Sequence, residues 1–284
     1  MSIKRVAAIH DMSGYGRCSL TVAIPIISVM GIQVCPLPTA YLSTHTGGFT
    51  GFTYRDLTED INPIKEHWLS LGLKFSSIYT GFLGSFEQID IISALFDELK
   101  SPETLILVDP VMADNGKLYS IYSPEMARGM AKLCKKADMI VPNLTEAAFI
   151  LDEEYRGDNY DQNYIESTLK KLAELGPEYV VLTGVSFDGK LLGAATYTKS
   201  KNEFSYSFCD CIEGYFHGTG DVFGSTLLSA IERGFPLNKA AGIAVDYTQK
   251  CIIETVKLNQ EIRYGVAFER VLPYLIERLG ESQG

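Results

Sequence analysis

Nowhere does an apolar run approach the ~20 residues needed to span a bilayer. The opening segment, residues 1–16, lacks the long apolar stretch and small-residue cleavage site of a leader, so a cytoplasmic, soluble protein is expected. Positive charge is short as well. Lys and Arg number 25 against 35 Asp and Glu, a formal net charge of −10, which argues against a nucleic-acid or membrane-surface partner. A phosphate ligand would therefore have to be held locally. The four histidines form no H-x-x-x-H cluster, and the six cysteines are not paired at zinc-like spacings. Reduced thiols are expected in a chain too long to need disulfide staples. Cys209 and Cys211, two apart on an expected strand, keep metal or redox chemistry open as a minor alternative. No Gly-Lys-Ser or Gly-Lys-Thr follows a glycine-rich loop, which excludes a Walker A site. Internal repeats and low-complexity linkers are absent too.

What is present is enough apolar material, 46% of 284 residues, to build one large domain over 1–284. Short β-branched runs at residues 4–9, 33–38, 77–79, 104–109, 139–141 and 179–183 are nearly all apolar, as strands covered on both faces should be. Stretches of helical spacing lie between them, at 19–30, 86–99, 124–135 and 164–175. The alternation predicts an α/β fold: a mostly parallel sheet with helices on both faces, in three layers. Residues 191–197 and 203–210 read as a late antiparallel pair, followed by helices over 219–234, 237–255 and 266–279.

In such a sheet, chemistry belongs at the carboxyl ends of the strands. His10-Asp11, Asp109-Pro110, Pro142-Asn143 and Thr183-Gly184 are expected there. Gly218-Thr219-Gly220-Asp221 carries the most information, because glycines at a helix start leave backbone N–H groups bare as an anion site. Asp221, in the first turn, is placed to take a proton from an attacking hydroxyl and is expected to stay ionised. Helix capping accounts for the same spacing. Asp109-Pro110 is equally a strand-ending turn. Asn143 with Glu146 three residues on is a capping pattern, compatible with a second role. His45 is equally a solvated loop histidine, and Phe82 equally a core residue.

The segment Gly218-Thr219-Gly220-Asp221-Val222-Phe223 resembles the signature of the ribokinase-like superfamily. Asp109-Pro110-Val111-Met112 and the loop at 113–119 resemble the corresponding segment and lid of pyridoxal and hydroxymethylpyrimidine kinases. The resemblance runs from Val6 to Gln249. It implies Asp221 as catalytic base, with Gly218, Thr219 and Gly220 as anion hole. For ATP it implies Asp109, Asn143, Glu146, Thr183 and Thr219, with Mg²⁺ held through water by Asp109 and Glu146, and it leaves monovalent-cation dependence open. Ser43-Thr44-His45-Thr46-Gly47 resembles the Asn-His-Thr segment of pyridoxal kinases with Thr44 in place of asparagine, and implies that His45 and Thr46 meet the substrate. Tyr79-Thr80-Gly81-Phe82 resembles the segment that puts an aromatic ring near the pyridine. Asp11 stands where pyridoxal kinases commonly carry serine, and His10-Asp11-Met12-Ser13-Gly14 is partly similar to the start of hydroxymethylpyrimidine kinases.

The expectation is thus ATP-dependent phosphorylation of the 5′-hydroxymethyl group of a B6 vitamer by a homodimer with a small-molecule substrate. The nearest alternative is a hydroxymethylpyrimidine kinase of thiamine synthesis. A sugar kinase would want an N-terminal Gly-Gly and a small lid domain, neither evident. A non-catalytic vitamer or nucleotide sensor is disfavoured by the intact Asp221.

Overall fold

A computed structural model describes residues 3–279. The described chain divides into two compact units, one of residues 1–77 and 212–284, the other of residues 78–211. The expected single domain over 1–284 spans both units and reaches terminal residues outside the described range.

The first unit opens with β1 (Arg5–Ser13), α1 (Leu20–Val29), β2 (Gln33–Leu42), β3 (Tyr54–Asp56) and α2 (Thr58–Ser70). β1 runs parallel to β2, and β3 returns antiparallel along the far side of β2. Val6, Ala7, Ala8, Ile9 and His10 are fully buried, so this strand gains apolar burial from both faces. It also runs past Ile9, where the apolar pattern stops. His10 and Asp11 therefore lie inside β1 rather than after it, and a register shift against β2 falls between His10 and Met12, re-aiming the side chains there.

The chain passes to the second unit within β4 (Ser77–Thr80). There follow α3 (Phe86–Leu99), β5 (Leu105–Val108), the short strands β6 (Ala113–Asp114) and β7 (Lys117–Leu118), α4 (Pro124–Cys134), β8 (Met139–Ile140), α5 (Leu144–Leu151), α6 (Gln162–Glu174), β9 (Tyr179–Val185), β10 (Leu191–Thr198) and β11 (Glu203–Asp210). The strand order in this unit is β11-β10-β9-β8-β5-β4. β5, β8 and β9 are parallel; β10 and β11 add the antiparallel pair. Helix starts are fixed by side chains: Ser85, Ser123 and Asp161 accept from the N–H groups of Gln88, Met126 and Tyr164, satisfying donors that a helix cannot pair itself.

The first unit is completed by α7 (Thr219–Glu232), α8 (Leu237–Lys257), two short 3₁₀ turns and α9 (Leu272–Leu279). Residues 222–230 of α7 are buried without interruption, between α1 and α8. Such a helix is held by packing all round rather than along one stripe. Among the described residues no helix is long and apolar enough to cross a membrane.

Candidate active site

The start of α7 is built on glycine for a steric reason. Gly218 is its N-cap at φ 77°, and a Cβ there would fall 2.1 Å from the Arg17 carbonyl oxygen. Only glycine takes both the left-handed conformation and the close approach. No side chain caps this end, so the first N–H groups and the positive end of the helix dipole are left for an anion. The Thr219 hydroxyl is turned into its own turn, donating to the Phe216 carbonyl at 3.0 Å.

Asp221 does not cap α7. Its carboxyl accepts a hydrogen bond from the Ser19 backbone N–H. Burial, with a smaller push from the Asp11 carboxylate, raises its pKa to about 7. The expectation of a permanently ionised carboxylate is thereby corrected, since desolvation outweighs the helix end and the single donor. A group near pKa 7 is well matched to take a proton from an alcohol at neutral pH.

Asp11 is buried, and burial raises its pKa against the opposing hydrogen bonds from Ser19 and Ser13. Ser19 Oγ donates to Asp11 Oδ1 at 2.5 Å and Ser13 Oγ to Oδ2 at 3.3 Å. Ser19 thus touches both carboxylates of this unit's site. Its spacing gave no sign of this, because the bridge depends on an unusual backbone conformation (φ 52°, ψ −132°). The only signal in the sequence is a serine at the head of the helical pattern.

His45 is buried, not solvated. Its Nδ1 accepts from the Gly47 N–H at 3.2 Å, and its Nε2 therefore carries the proton and donates to the Arg263 carbonyl at 2.7 Å. Burial lowers its pKa, against a smaller upward pull from the Arg263 carbonyl, so the ring is neutral at pH 7. With both nitrogens engaged, His45 shapes the 43–47 loop rather than offering free donors. Its ring lies 5.2 Å from that of His217, the residue before Gly218, and 4.9 Å from Phe49. Thr46 is exposed beside it, and the partly buried Thr44 hydroxyl has no hydrogen-bond partner.

The second unit assembles the other candidates. Asp109, directly after β5, is buried, and its N–H donates to the Thr80 carbonyl at 2.9 Å. Asn143 and Glu146 form a complete capping box on α5. The Glu146 oxygens accept from the N–H groups of Asn143 at 2.8 Å and Met112 at 3.2 Å. Even so, burial pushes its pKa up to about 8. Asn143 also donates its side-chain N–H to the Ala113 carbonyl at 2.9 Å. Its amide is thus spent on the protein rather than presented to a nucleotide.

The 113–119 segment, read from sequence as a mobile loop, is the β6–β7 hairpin. Asn115 and Gly116 turn it at φ 50° and 76°, the pairing such two-residue hairpins prefer. The Gly116 N–H donates to Thr145 Oγ1 at 3.0 Å, tying the turn to α5. Thr183 lies within β9 rather than after it. Its N–H donates to the Pro142 carbonyl at 2.9 Å, and it bridges in parallel to Asn143. Phe82 is only half-buried, edge-on to Tyr122 at 6.1 Å, whereas its neighbour Leu83 is fully buried.

Two carboxylates with no third ligand suit magnesium, which keeps several waters and leans on substrate phosphates. Among the described residues no three His, Cys, Asp or Glu are grouped to hold a metal ion by themselves. A carboxyl raised to about 8 by burial is short of positive charge, which a cation would supply.

A glycine-led helix start beside a buried carboxylate, on an α/β scaffold with acidic residues at strand ends, is the equipment of a small-molecule phosphotransferase. Comparison with known proteins narrows the class. Residues 28–265 match the model of the phosphomethylpyrimidine kinase family. The pyridoxal kinase of Arabidopsis thaliana is 29% identical over 89% of this chain and 82% of its own. A Bacteroides thetaiotaomicron protein assigned as a phosphomethylpyrimidine kinase superposes with a TM-score of 0.94 at 39% identity, over 97% of this chain and 94% of that one. Its orthorhombic form with pyridoxal gives 0.87 at 36%, over 98% and 96%. The pyridoxal kinase of Lactobacillus plantarum gives 0.90 at 28% identity over 99% of both chains. The chain belongs to the phosphomethylpyrimidine kinase family, on the pyridoxal kinase side of the ribokinase-like superfamily. Its fold class is the one expected from the alternation of strands and helices.

Proposed function

We propose that this enzyme transfers the γ-phosphoryl group of ATP to the 5′-hydroxymethyl oxygen of a B6 vitamer: pyridoxal, pyridoxamine or pyridoxine. The observation that carries the reading is Asp221, a carboxyl raised to about 7 in the first turn of a helix whose leading N–H groups no side chain caps. In the reaction Asp221 takes the hydroxyl proton, the alcohol oxygen bonds to the γ-phosphorus in line, and the bond from that phosphorus to the bridging oxygen breaks, releasing ADP. The amides of Gly218, Thr219 and Gly220 receive the developing phosphoryl charge. Asp109 and Glu146 would hold magnesium through water, and Thr183 with Asn143 shapes the nucleotide side. Magnesium, when bound, neutralises the phosphate oxygens. Asp11 reads the edge of the pyridine, His45 sets the loop that carries Thr46, and Phe82 offers its half-buried ring to the substrate.

The likeness to pyridoxal kinases and to a protein crystallised with pyridoxal supports a B6 vitamer. Hydroxymethylpyrimidine is the second reading, favoured by the family description and by Asp11. A homodimer in the cytoplasm accompanies the proposal. The test is a coupled assay with pyridoxal, pyridoxamine, pyridoxine and hydroxymethylpyrimidine. A carboxylate beside the ring favours a protonated nitrogen or an amine, so pyridoxamine or pyridoxine should be used at least as well as pyridoxal, and Asp11→Ser should shift preference toward pyridoxal. Hydroxymethylpyrimidine outperforming all three vitamers would overturn the assignment.

A further inference from the structure

Ser19 heads α1 without capping it. Instead it points two donors at two acids. Its hydroxyl goes to Asp11 Oδ1 at 2.5 Å, and its backbone N–H to the Asp221 carboxyl. Asp11 belongs to β1 and Asp221 to α7, so one residue joins carboxylates from different elements. The conformation that allows this, φ 52° and ψ −132°, is one that residues with a Cβ hold only when their surroundings impose it. Two buried carboxyls this closely linked resist being ionised together, and their protons come off in steps that belong to the pair.

The other groups facing the pair do little to relieve it. The Cys18 thiol feels both carboxylates and is itself raised by burial first and by them second. Tyr54, on β3, feels Asp11. The Arg17 guanidinium is turned to Glu269 at 2.7 Å. The start of α7 contributes its dipole, which favours charge on Asp221. The Ser19 hydroxyl, donating to Asp11, assigns the negative charge to Asp11 and leaves the pair's remaining proton with Asp221.

We propose that Ser19 is a positioning residue that locks Asp11 and Asp221 into one electrostatic unit, so that a cationic substrate group arriving at Asp11 releases the Asp221 proton to solvent and arms the base. The inference rests on the reading of Asp11 as the ring contact and Asp221 as the base. It makes the base competent in the substrate complex and less so in the free enzyme, where a competent base would serve water.

The test compares two pH profiles with pyridoxamine: kcat/KM, corrected for the free vitamer's ionisation, and the single-turnover rate at saturation. In the wild type the acid limb of the single-turnover rate should lie about one pH unit below that of kcat/KM, the scale of one neighbouring charge. Ser19→Gly keeps the backbone conformation and the N–H but removes the hydroxyl. It should close more than half of that gap, because Asp11 without its shortest donor takes the proton itself. Asp11→Asn should abolish the gap, with both limbs at the lower pH. An unchanged gap in both variants, with Asp221→Asn inactive, would overturn the coupling while leaving the base in place. Full turnover by Asp221→Asn would instead remove the base, and the coupling with it.

Discussion

Asn143 and Glu146 cap each other: the Asn143 N–H donates to Glu146 Oε2 at 2.8 Å, and the Glu146 N–H donates to Asn143 Oδ1 at 2.9 Å. Structure and chemistry thus meet in one carboxylate. Glu146→Gln would turn an amide NH₂ toward a backbone N–H, costing about 1 kcal/mol or more. The variant should melt a few degrees lower and need roughly tenfold more magnesium at fixed ATP. Lower melting with an unmoved magnesium titration would leave Glu146 a cap alone.

The raised acids also fix a stability trend. Asp221 binds its proton more tightly folded, at about 7, than at the ordinary value of 3.8, so its contribution is complete below pH 4 and is lost as pH rises toward 7. Glu146, at about 8 against 4.5, acts in the same direction over pH 4.5 to 8. Urea unfolding of wild type and Asp221→Asn should therefore show the wild type losing ground steadily from pH 4 to 7, with the variant the more stable at pH 8. A difference that stays flat across that range would contradict the buried-acid account.

His45 holds its loop through Gly47 and Arg263 with a neutral ring. Losing two hydrogen bonds costs about 1–3 kcal/mol, so His45→Ala should raise the vitamer KM about tenfold or more and change kcat and the ATP KM far less. Its pH profile between 6 and 8 should match the wild type. A displaced acid limb would make His45 a proton carrier rather than a support.

Most strands and the long helices were legible because burial on both faces leaves apolar runs, as in residues 105–108 and 179–182. β1 was read four residues short, since His10, Asp11 and Ser13 are polar and yet buried; their burial serves the site rather than the core. α2 escaped because Pro63 interrupts it and only Ile61 and Lys65 are buried, too few to make a period. β3 is three exposed residues. The hairpin turn Asn115-Gly116 was visible as a turn, but its two-residue strands draw their stability from Thr145 and Asn143, contacts no local pattern records. Gly218, Asp221 and Asp109 stood out as motif residues. Ser19 did not, because its role comes from a backbone angle and two partners distant in the chain.

The most direct test follows the γ-phosphoryl group itself. Wild type and Asp221→Asn are incubated with ATP, magnesium and pyridoxamine, and the 5′-phosphorylated vitamer is measured by mass spectrometry, with nucleotide binding measured alongside. The wild type should make the product, and Asp221→Asn should bind ATP equally yet form product ~10²-fold or more slowly, the scale of a lost general base. Product formation by the variant within a few-fold of wild type, or no phosphorylated vitamer from either, would contradict the account.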